Sequence, residues 1–220
     1  MRLLQAKHLP TLLGCLCLLL ISNNTLADST RNFPEINATP SLLQALTKGT
    51  YVLYLRHGAT DSAYPDQVPI DLHDCNTQRP LSDAGRSEIA QVGEYIRQAA
   101  IPVGDIYVSP LCRAQESAQL ALLRSFTTEV DLMYTAHLTT QEKIPVVAKT
   151  RELISRPVEA GSNRMIIAHA PNLADLMGYF PTIEGSLIIF RPLGHGEFEY
   201  LATIRPAHWP ALLDEIDKTE

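Results

Sequence analysis

Two histidines and two arginines stand where short apolar runs of this sequence give way to polar residues. Arg56 and His57 directly follow one such run. Arg113 comes shortly after a second run, and His169 directly follows a third. Arginine stays charged at any working pH, and its planar fork matches the oxygens of a phosphate group. Neutral imidazole is a competent nucleophile near neutral pH. These four residues, here called the quartet, therefore indicate attack of a histidine on phosphorus.

The apolar runs that precede the quartet residues are predicted to be buried β-strands. They cover residues 51–55, 106–108 and 165–168, and continuous apolar runs suit strands covered on both faces. A late β-hairpin is predicted to turn at residues 192–196. The predicted helices are 41–48, 82–99, one opened by Pro110, 142–155 and a short one from Pro171. This alternation predicts a single three-layer α/β domain, with a mostly parallel sheet and helices on both faces.

A common position at one edge of the sheet is what would bring the quartet together. Parallel strands end at the same edge, and ligands of such sheets bind there. We therefore expect the four side chains to surround one anion-sized hollow. A histidine that attacks phosphorus forms a phosphoenzyme, which water then hydrolyses. The arginines and the second histidine would stabilise the charge that spreads over the equatorial oxygens.

Residues 1–27 differ in composition from the rest of the chain. Arg2 and Lys7 give a basic start, and residues 9–21 are almost wholly apolar. This pattern predicts a secretory signal peptide that is cleaved after Ala27. The apolar run is short for a membrane span, which needs about 20 residues. An uncleaved anchor and a lipoprotein remain alternatives. We expect a periplasmic or secreted protein without a stable membrane span after cleavage.

Charge and composition restrict the partners of the remaining chain. Residues 28–49 are predicted to be an N-terminal lead-in, and residues 50–220 the folded domain. The formal net charge is −6, and loss of the signal peptide makes it more negative. An acidic surface argues against nucleic acid or an anionic membrane as a general partner. The expected partner is a small phosphorylated substrate, which must meet a local cluster of positive charge. The sequence does not indicate the oligomeric state.

Two cysteines remain once the signal peptide is removed. Cys75 and Cys112 form an even pair, and an oxidising compartment favours a disulfide between them. Two buried thiols are the alternative. A structural zinc site needs four ligands, which two cysteines cannot supply alone. We predict no metal.

Four segments of the chain resemble motifs of the histidine phosphatase superfamily, which has the phosphoglycerate mutase-like fold. They are residues 55–58, 80–85, 109–118 and 166–170. The segments follow one another in the expected order, and the resemblance covers roughly residues 50–205. An isolated Arg-His-Gly triplet would be a weak signal, but four motifs on the predicted elements are a specific one.

The resemblance implies a metal-independent enzyme without a nucleotide cofactor. His57 would be the phosphorylated nucleophile. Arg56, Arg113 and His169 would bind the phosphoryl group. Gly58 would allow a tight turn beside the nucleophile.

The long loop at residues 59–80 holds further candidates. Thr60 could donate its hydroxyl to phosphate, or it could be a plain turn residue. Arg79 could line the pocket, or it could be solvated. Part of this loop resembles a secreted bacterial subgroup of the superfamily. There, Cys75 and Cys112 would tie the loop to the helix that carries the second arginine.

The general acid is the part of the family pattern that the sequence does not place. The superfamily's usual acid is a carboxylate between the second arginine and the second histidine, and it protonates the leaving oxygen. Glu142 has about the right position, but Thr139 and Glu142 also read as a capping box. Asp131 lies on an apparent strand, where a surface position is the expectation. Glu184, just before the late hairpin, could approach the rim, or it could lie in a solvated turn. A missing acid would favour substrates with good leaving groups, such as phosphohistidine.

Several functions fit these residues. Hydrolysis of a phosphomonoester outside the cytoplasm is the leading hypothesis. A phosphoglycerate-type mutase fits less well with secretion. Protein phosphohistidine phosphatase activity is an alternative, and so is a catalytically silent phosphate- or glycan-binding protein. The natural substrate depends on residues 59–80 and 127–145, whose fold does not follow from inspection.

Overall fold

The computed structural model describes residues 33–218. The predicted signal peptide, residues 1–27, lies outside the described residues, so its cleavage stays a prediction. Within the described range, no helix is both long enough and apolar enough to cross a membrane.

Six strands of the described chain form one mixed sheet. They are β1 (Val52–Arg56), β2 (Val103–Val108), β3 (Thr127–Thr128), β4 (Asn163–Ala168), β5 (Leu187–Gly194) and β6 (Glu197–Ile204). Their order across the sheet is β3-β2-β4-β1-β5-β6. The first four of these neighbours run parallel. The β5–β6 hairpin adds two antiparallel pairings at the other side. The predicted α/β sheet is therefore confirmed.

Helices cover both faces of this sheet, as the sequence predicts. They are α1 (Pro40–Leu46), α2 (Asp83–Gln98), α3 (Cys112–Leu122), α4 (Thr140–Ser155), α5 (Ala170–Met177) and α6 (Trp209–Asp217). Helices α1, α2, α3 and α6 pack in one hydrophobic core. Helices α4 and α5 pack in a second core on the opposite face. The three-layer arrangement follows from these two cores.

The central strand β1 shows why both faces must be covered. Its side chains alternate between the two cores, with Leu53 and Leu55 in one core and Val52 and Tyr54 in the other. All four side chains are fully buried. A strand with period-2 apolar residues on both faces is stable only between two helical layers.

Residues 33–49 belong to the folded domain, so the predicted lead-in is wrong for this part of the chain. The ring of Phe33 stacks on Tyr179 with the ring centroids 4.4 Å apart. Helix α1 buries Leu43 and Leu46 completely in the first core. These contacts are distant in sequence, which is why the local pattern of prolines and polar residues did not reveal them.

The late hairpin turns within the predicted segment 192–196, at its end. Strand β5 continues through Pro192 to Gly194. The chain reverses at His195 and Gly196, whose φ angles are 51° and 83°. Two positive φ angles are typical of the two-residue turn that matches strand twist. Pro192 is tolerated because β1 pairs only with the first half of β5, up to Phe190.

Candidate active site

The structure places the quartet at one edge of the sheet. Arg56 is the last residue of β1, and its register partner on β4 is Ala168. His57 and His169 therefore leave adjacent parallel strands side by side, and their ring centroids lie 5.1 Å apart. Arg113 lies in the first turn of α3, and its charge lowers the pKa of both histidines after burial, the larger cause.

The imidazole of His57 is buried with its two nitrogens in different roles. Its Nδ1 lies 2.9 Å from the carbonyl oxygen of Gly58. A carbonyl oxygen only accepts, so the ring proton must be on Nδ1, and the lone pair is on Nε2. Burial lowers the pKa of His57 well below its usual value, and Arg113 lowers it further. His57 is therefore a neutral imidazole with a free Nε2 at neutral pH.

Gly58 is required by close packing rather than by a positive φ angle. It is not one of the residues with positive φ. A Cβ at Gly58 would lie 3.0 Å from the oxygen of Gly85 and 3.1 Å from Cβ of Ile89. In turn, a Cβ at Gly85 would lie 2.0 Å from the oxygen of Ala59. The Gly58 amide donates to Ser117 of α3 at 3.0 Å. These contacts fix the chain beside His57.

Arg56 is held by the segment that leads into β5. Its Nη1 donates to the carbonyl oxygens of Pro181 and Thr182 at 2.7 and 2.8 Å. Its Nη2 donates to Oε1 of Glu184 at 3.2 Å. Nε is buried and has no hydrogen-bond partner. The guanidinium is thus anchored at one end, with Nε available as a donor.

Arg113 is fully buried and is held in a similar way. Its Nη1 donates to Oδ1 of Asp66 at 2.9 Å, and its Cζ lies 5.0 Å from the ring centroid of Tyr134. Nε and Nη2 are buried without a hydrogen-bond partner. These two nitrogens form one edge of the guanidinium, which is the edge that can bind two oxygens of a phosphate together.

His169 is fixed through both its ring and its backbone. Its Nε2 lies 2.7 Å from Oγ of Ser109. That hydroxyl oxygen also accepts from the amide of Leu111 at 3.4 Å, so its own proton is free to go to Nε2. When the Ser109 hydroxyl donates to Nε2, the ring proton is on Nδ1, which is buried without a partner. Tyr54 bonds both the amide and the carbonyl of His169.

Unpartnered buried donors concentrate at this place in the fold. Of the eight buried side-chain atoms without a hydrogen-bond partner in the described chain, five belong to Arg56, Arg79, Arg113 and His169. Leaving one such group unsatisfied costs about 1–3 kcal/mol. Five together indicate an anion-binding site, because one tetrahedral oxyanion could accept from several of them.

Residues 52–134 match the sequence pattern of the histidine phosphatase superfamily, branch 1. Over this segment, 83 of the 220 residues, the chain is similar to the histidine phosphatase superfamily. The matched segment contains Arg56, His57 and Arg113, and it ends at Tyr134. None of the curated proteins is similar enough in sequence to count as a relative.

Several solved structures are similar to this chain at low sequence identity. YhfR from Bacillus stearothermophilus has a TM-score of 0.51 at 16% identity, over 69% of this chain and 95% of its own. The protein histidine phosphatase SixA, solved with tungstate, has a TM-score of 0.49 at 17% identity, over 72% and 98%. The mycobacterial glucosyl-3-phosphoglycerate phosphatase, solved with VO3, has 0.49 at 15%, over 70% and 98%. The likeness to YhfR supports the fold alone.

Glu184 and Thr60 form one cluster beside His57. Thr60 donates its amide and its hydroxyl to the Glu184 carboxylate, each at 3.1 Å. The hydroxyl therefore orients Glu184 instead of pointing freely at an anion. Oε1 of Glu184 lies 3.9 Å from Nδ1 of His57, and the side chain is only 20% exposed. The sequence alone does not decide between an approach of Glu184 to the rim and a solvated turn, because the deciding contacts span 124 residues or more.

The contacts of Glu142 favour the capping-box interpretation over the role of general acid. Its Oε2 accepts from the amide and the hydroxyl of Thr139 at 2.8 and 2.7 Å, and Thr139 caps α4 in return. The hydrogen bond from the Thr139 side chain lowers the pKa of Glu142, which opposes proton donation. Asp131 lies in a 3₁₀ turn, Val130–Leu132, and not on a strand.

The loop at residues 59–80 is attached to α3 by several contacts. Cys75 and Cys112 form a disulfide with their Cα atoms 5.8 Å apart, which confirms the predicted pair. Gln78 accepts from the amide of Cys112 at 2.9 Å. Asp66 accepts from the amide of Arg79 at 2.8 Å as well as from the guanidinium of α3. Arg79 brings positive charge that lowers the pKa of both histidines, after burial and nearer cations.

Loss of the disulfide should destabilise the domain. The bridge joins cysteines 37 residues apart, and a closed loop of that size stabilises the fold by about 4 kcal/mol through the entropy of the unfolded chain. A variant with both Cys75→Ser and Cys112→Ser should therefore unfold several degrees lower than the wild type. Thermal unfolding followed by circular dichroism measures this. Equal midpoints for the two proteins would contradict it, and a reductant should lower only the wild-type midpoint.

Proposed function

We propose that this chain is a phosphatase that hydrolyses phosphomonoesters through a phosphohistidine intermediate on His57. The match of residues 52–134 to the histidine phosphatase superfamily supports phosphatase activity. The observation that carries the specific mechanism is the position of a buried neutral imidazole among unpartnered guanidinium and imidazole donors. Such a site binds a phosphoryl group and places a nucleophile beside it.

The first step is attack of Nε2 of His57 on phosphorus. The N–P bond forms as the P–O bond to the leaving group breaks, and its electron pair goes to the leaving oxygen. Nε of Arg56, the Nε–Nη2 edge of Arg113 and Nδ1–H of His169 donate to the phosphoryl oxygens. These fixed donors stabilise the transition state, since its charge lies on those oxygens.

Glu184 supports this step through His57. When Nε2 bonds to phosphorus, positive charge develops on the ring and on the Nδ1–H group. The Glu184 carboxylate lies 3.9 Å from Nδ1, and opposite charges at that distance attract. The same carboxylate also anchors Arg56. In the second step water attacks phosphorus, phosphate leaves, and His57 is regenerated.

Turnover of p-nitrophenyl phosphate in the presence of EDTA tests this proposal. The purified protein should release p-nitrophenol without added metal, and it should carry acid-labile phosphate during turnover. Activity that disappears with EDTA and returns with a divalent cation would overturn the metal-independent mechanism. Binding of phosphate without any turnover would instead support the catalytically silent alternative.

A protein phosphohistidine phosphatase is the second candidate function. It is favoured by the capping contacts of Glu142, because cleavage of a P–N bond depends less on a strong acid. A phosphohistidine peptide assayed beside p-nitrophenyl phosphate separates the two functions. For location, we propose the periplasm or the exterior, which the disulfide supports, because oxidising compartments preserve such bonds.

The value of kcat/KM should stay high at acidic pH values at which an ordinary histidine is already protonated. Burial, and then the charge of Arg113, lower the pKa of His57 well below 6.5. Protonation removes the Nε2 lone pair only below that lowered pKa, so activity should persist as the pH falls through 6.5. Measurements of kcat/KM from about pH 4 to about pH 8 report the pKa values of groups in the free enzyme. An acidic limb centred at or above the usual histidine value would contradict the expectation.

A further inference from the structure

The proposed phosphatase mechanism leaves the proton of the leaving oxygen unassigned, and this inference rests on that mechanism. The carboxylates nearest the quartet accept hydrogen bonds from cations or hydroxyls. Asp66 accepts from Arg113, and Glu184 accepts from Arg56 and Thr60. A carboxylate that accepts these hydrogen bonds is ionised and has no proton to give, whereas the leaving oxygen must receive a proton.

Tyr134 lies directly against two members of the quartet. Its ring centroid is 5.0 Å from Cζ of Arg113 and 5.3 Å from the ring of His169, which it meets edge-on. On its outer side it contacts His137 with the ring centroids 4.8 Å apart. The Tyr134 hydroxyl has no hydrogen bond to any residue between 33 and 218. It is therefore a phenolic donor that the protein itself leaves unused.

The electrostatic effect of Tyr134 reaches both guanidinium groups. Burial lowers the pKa of Arg56 and of Arg113; Glu184 and Asp66, respectively, oppose this most, and Tyr134 opposes it to a smaller extent in both cases. These arginines are held by different loops, one before β5 and one after β1. Tyr134 is therefore near both arginines, which bind the phosphoryl group in the proposed mechanism.

The backbone around Tyr134 is fixed by a buried amide side chain. Asn172 of α5 is fully buried, and its Nδ2 donates to the carbonyl oxygen of Met133 at 2.9 Å. Its Oδ1 accepts from the amide of Thr135 at 3.5 Å. Asn172 thus bonds the residue before Tyr134 and the residue after it. The 3₁₀ turn Thr135–His137 directly follows Tyr134.

We propose that Tyr134 is the catalytic proton donor of this enzyme. As Nε2 of His57 bonds to phosphorus, the Tyr134 hydroxyl gives its proton to the leaving oxygen, which departs as an alcohol. The phenolate that remains is stabilised by the neighbouring guanidinium groups. It then takes a proton from the water that attacks the phosphohistidine, which releases phosphate and restores the tyrosine.

The test is the dependence of Tyr134→Phe on the leaving group. Phenylalanine keeps the ring contacts and removes only the hydroxyl. General acid catalysis contributes about 10²–10⁴-fold, and it matters most for poor leaving groups. The variant should therefore lose about 100-fold or more in kcat/KM with an alkyl phosphate such as ethyl phosphate. With p-nitrophenyl phosphate, whose leaving group needs no proton, the loss should be only a few-fold.

Matched variants separate this role from the alternatives. Tyr64→Phe, in the exposed part of the loop at 59–80, should behave as wild type with both substrates. Asp66→Asn and Glu142→Gln should not change the ratio between the two substrates. Equal losses for both substrates in Tyr134→Phe, no loss for either, or a selective loss in a carboxylate variant would overturn the proposal. Lack of wild-type turnover with every phosphate ester would instead refute the proposed phosphatase function.

Discussion

Replacement of His57 by alanine is expected to abolish turnover, with kcat reduced by about 10³-fold or more. The variant lacks Nε2 of His57, which is the atom that forms the covalent bond to phosphorus in the proposed mechanism. Rapid-quench labelling with a ³²P-labelled phosphomonoester should show no acid-labile phosphate on the variant. The same labelling on the wild type should locate the phosphate on His57 by mass spectrometry.

Two further variants test whether the loss of activity in His57→Ala could come from a loss of folding. His57→Asn keeps a side-chain N–H that can donate to the carbonyl of Gly58, as Nδ1 does. It should unfold near the wild-type temperature and yet stay inactive. His73→Ala changes an exposed loop histidine and should remain active. Acid-labile label that persists in His57→Ala and maps to His169 would reverse the assignment of the nucleophile.

Arg113→Lys is expected to lower kcat/KM by about 10²–10³-fold, as the loss of a fixed transition-state donor does. Lysine keeps the positive charge and an N–H for Asp66, so the buried carboxylate retains a partner. It lacks the planar edge formed by Nε and Nη2, which carries the two unpartnered donors. Steady-state kinetics with p-nitrophenyl phosphate measures the loss, together with a weaker affinity for inorganic phosphate.

The conservative change also needs a surface control. Arg97→Lys alters an arginine of α2 that is 42% exposed and paired with Glu94. It should leave kcat/KM unchanged. If Arg113→Lys kept its activity within about three-fold, a simple positive charge would suffice, and bidentate binding of the phosphoryl group would be ruled out.

Much of the fold follows from local sequence patterns. Strand β1 is a continuous apolar run, and its alternate side chains fill two cores. Ser82 caps α2 and accepts from the amide of Gly85, which is the local contact that its sequence position predicts. The meeting of His57 and His169 follows from topology, because neighbouring parallel strands end together. Periodicity and capping depend on near neighbours, so a single sequence reveals them.

The remainder of the site depends on contacts that a single sequence does not encode locally. Asp66 bonds a residue 47 positions away, and Glu184 bonds one 128 positions away. Neither stands in a periodic pattern, and both follow from the path of a loop. Glu142 shows the opposite difficulty, since its local pattern fits an acid and a cap equally. Tyr134 had no motif of its own, and only its ring contacts identify it.

The attachment of both arginines to protein oxygens has an energetic consequence for ligand binding. Arg56 is fixed by two carbonyl oxygens and Glu184, and Arg113 is fixed by Asp66 before any ligand arrives. The pocket is therefore preorganised, and little side-chain entropy remains to be lost on binding. In the proposed mechanism, inorganic phosphate meets the same donors as the phosphoryl group of a substrate. We therefore expect phosphate to inhibit the enzyme as a product.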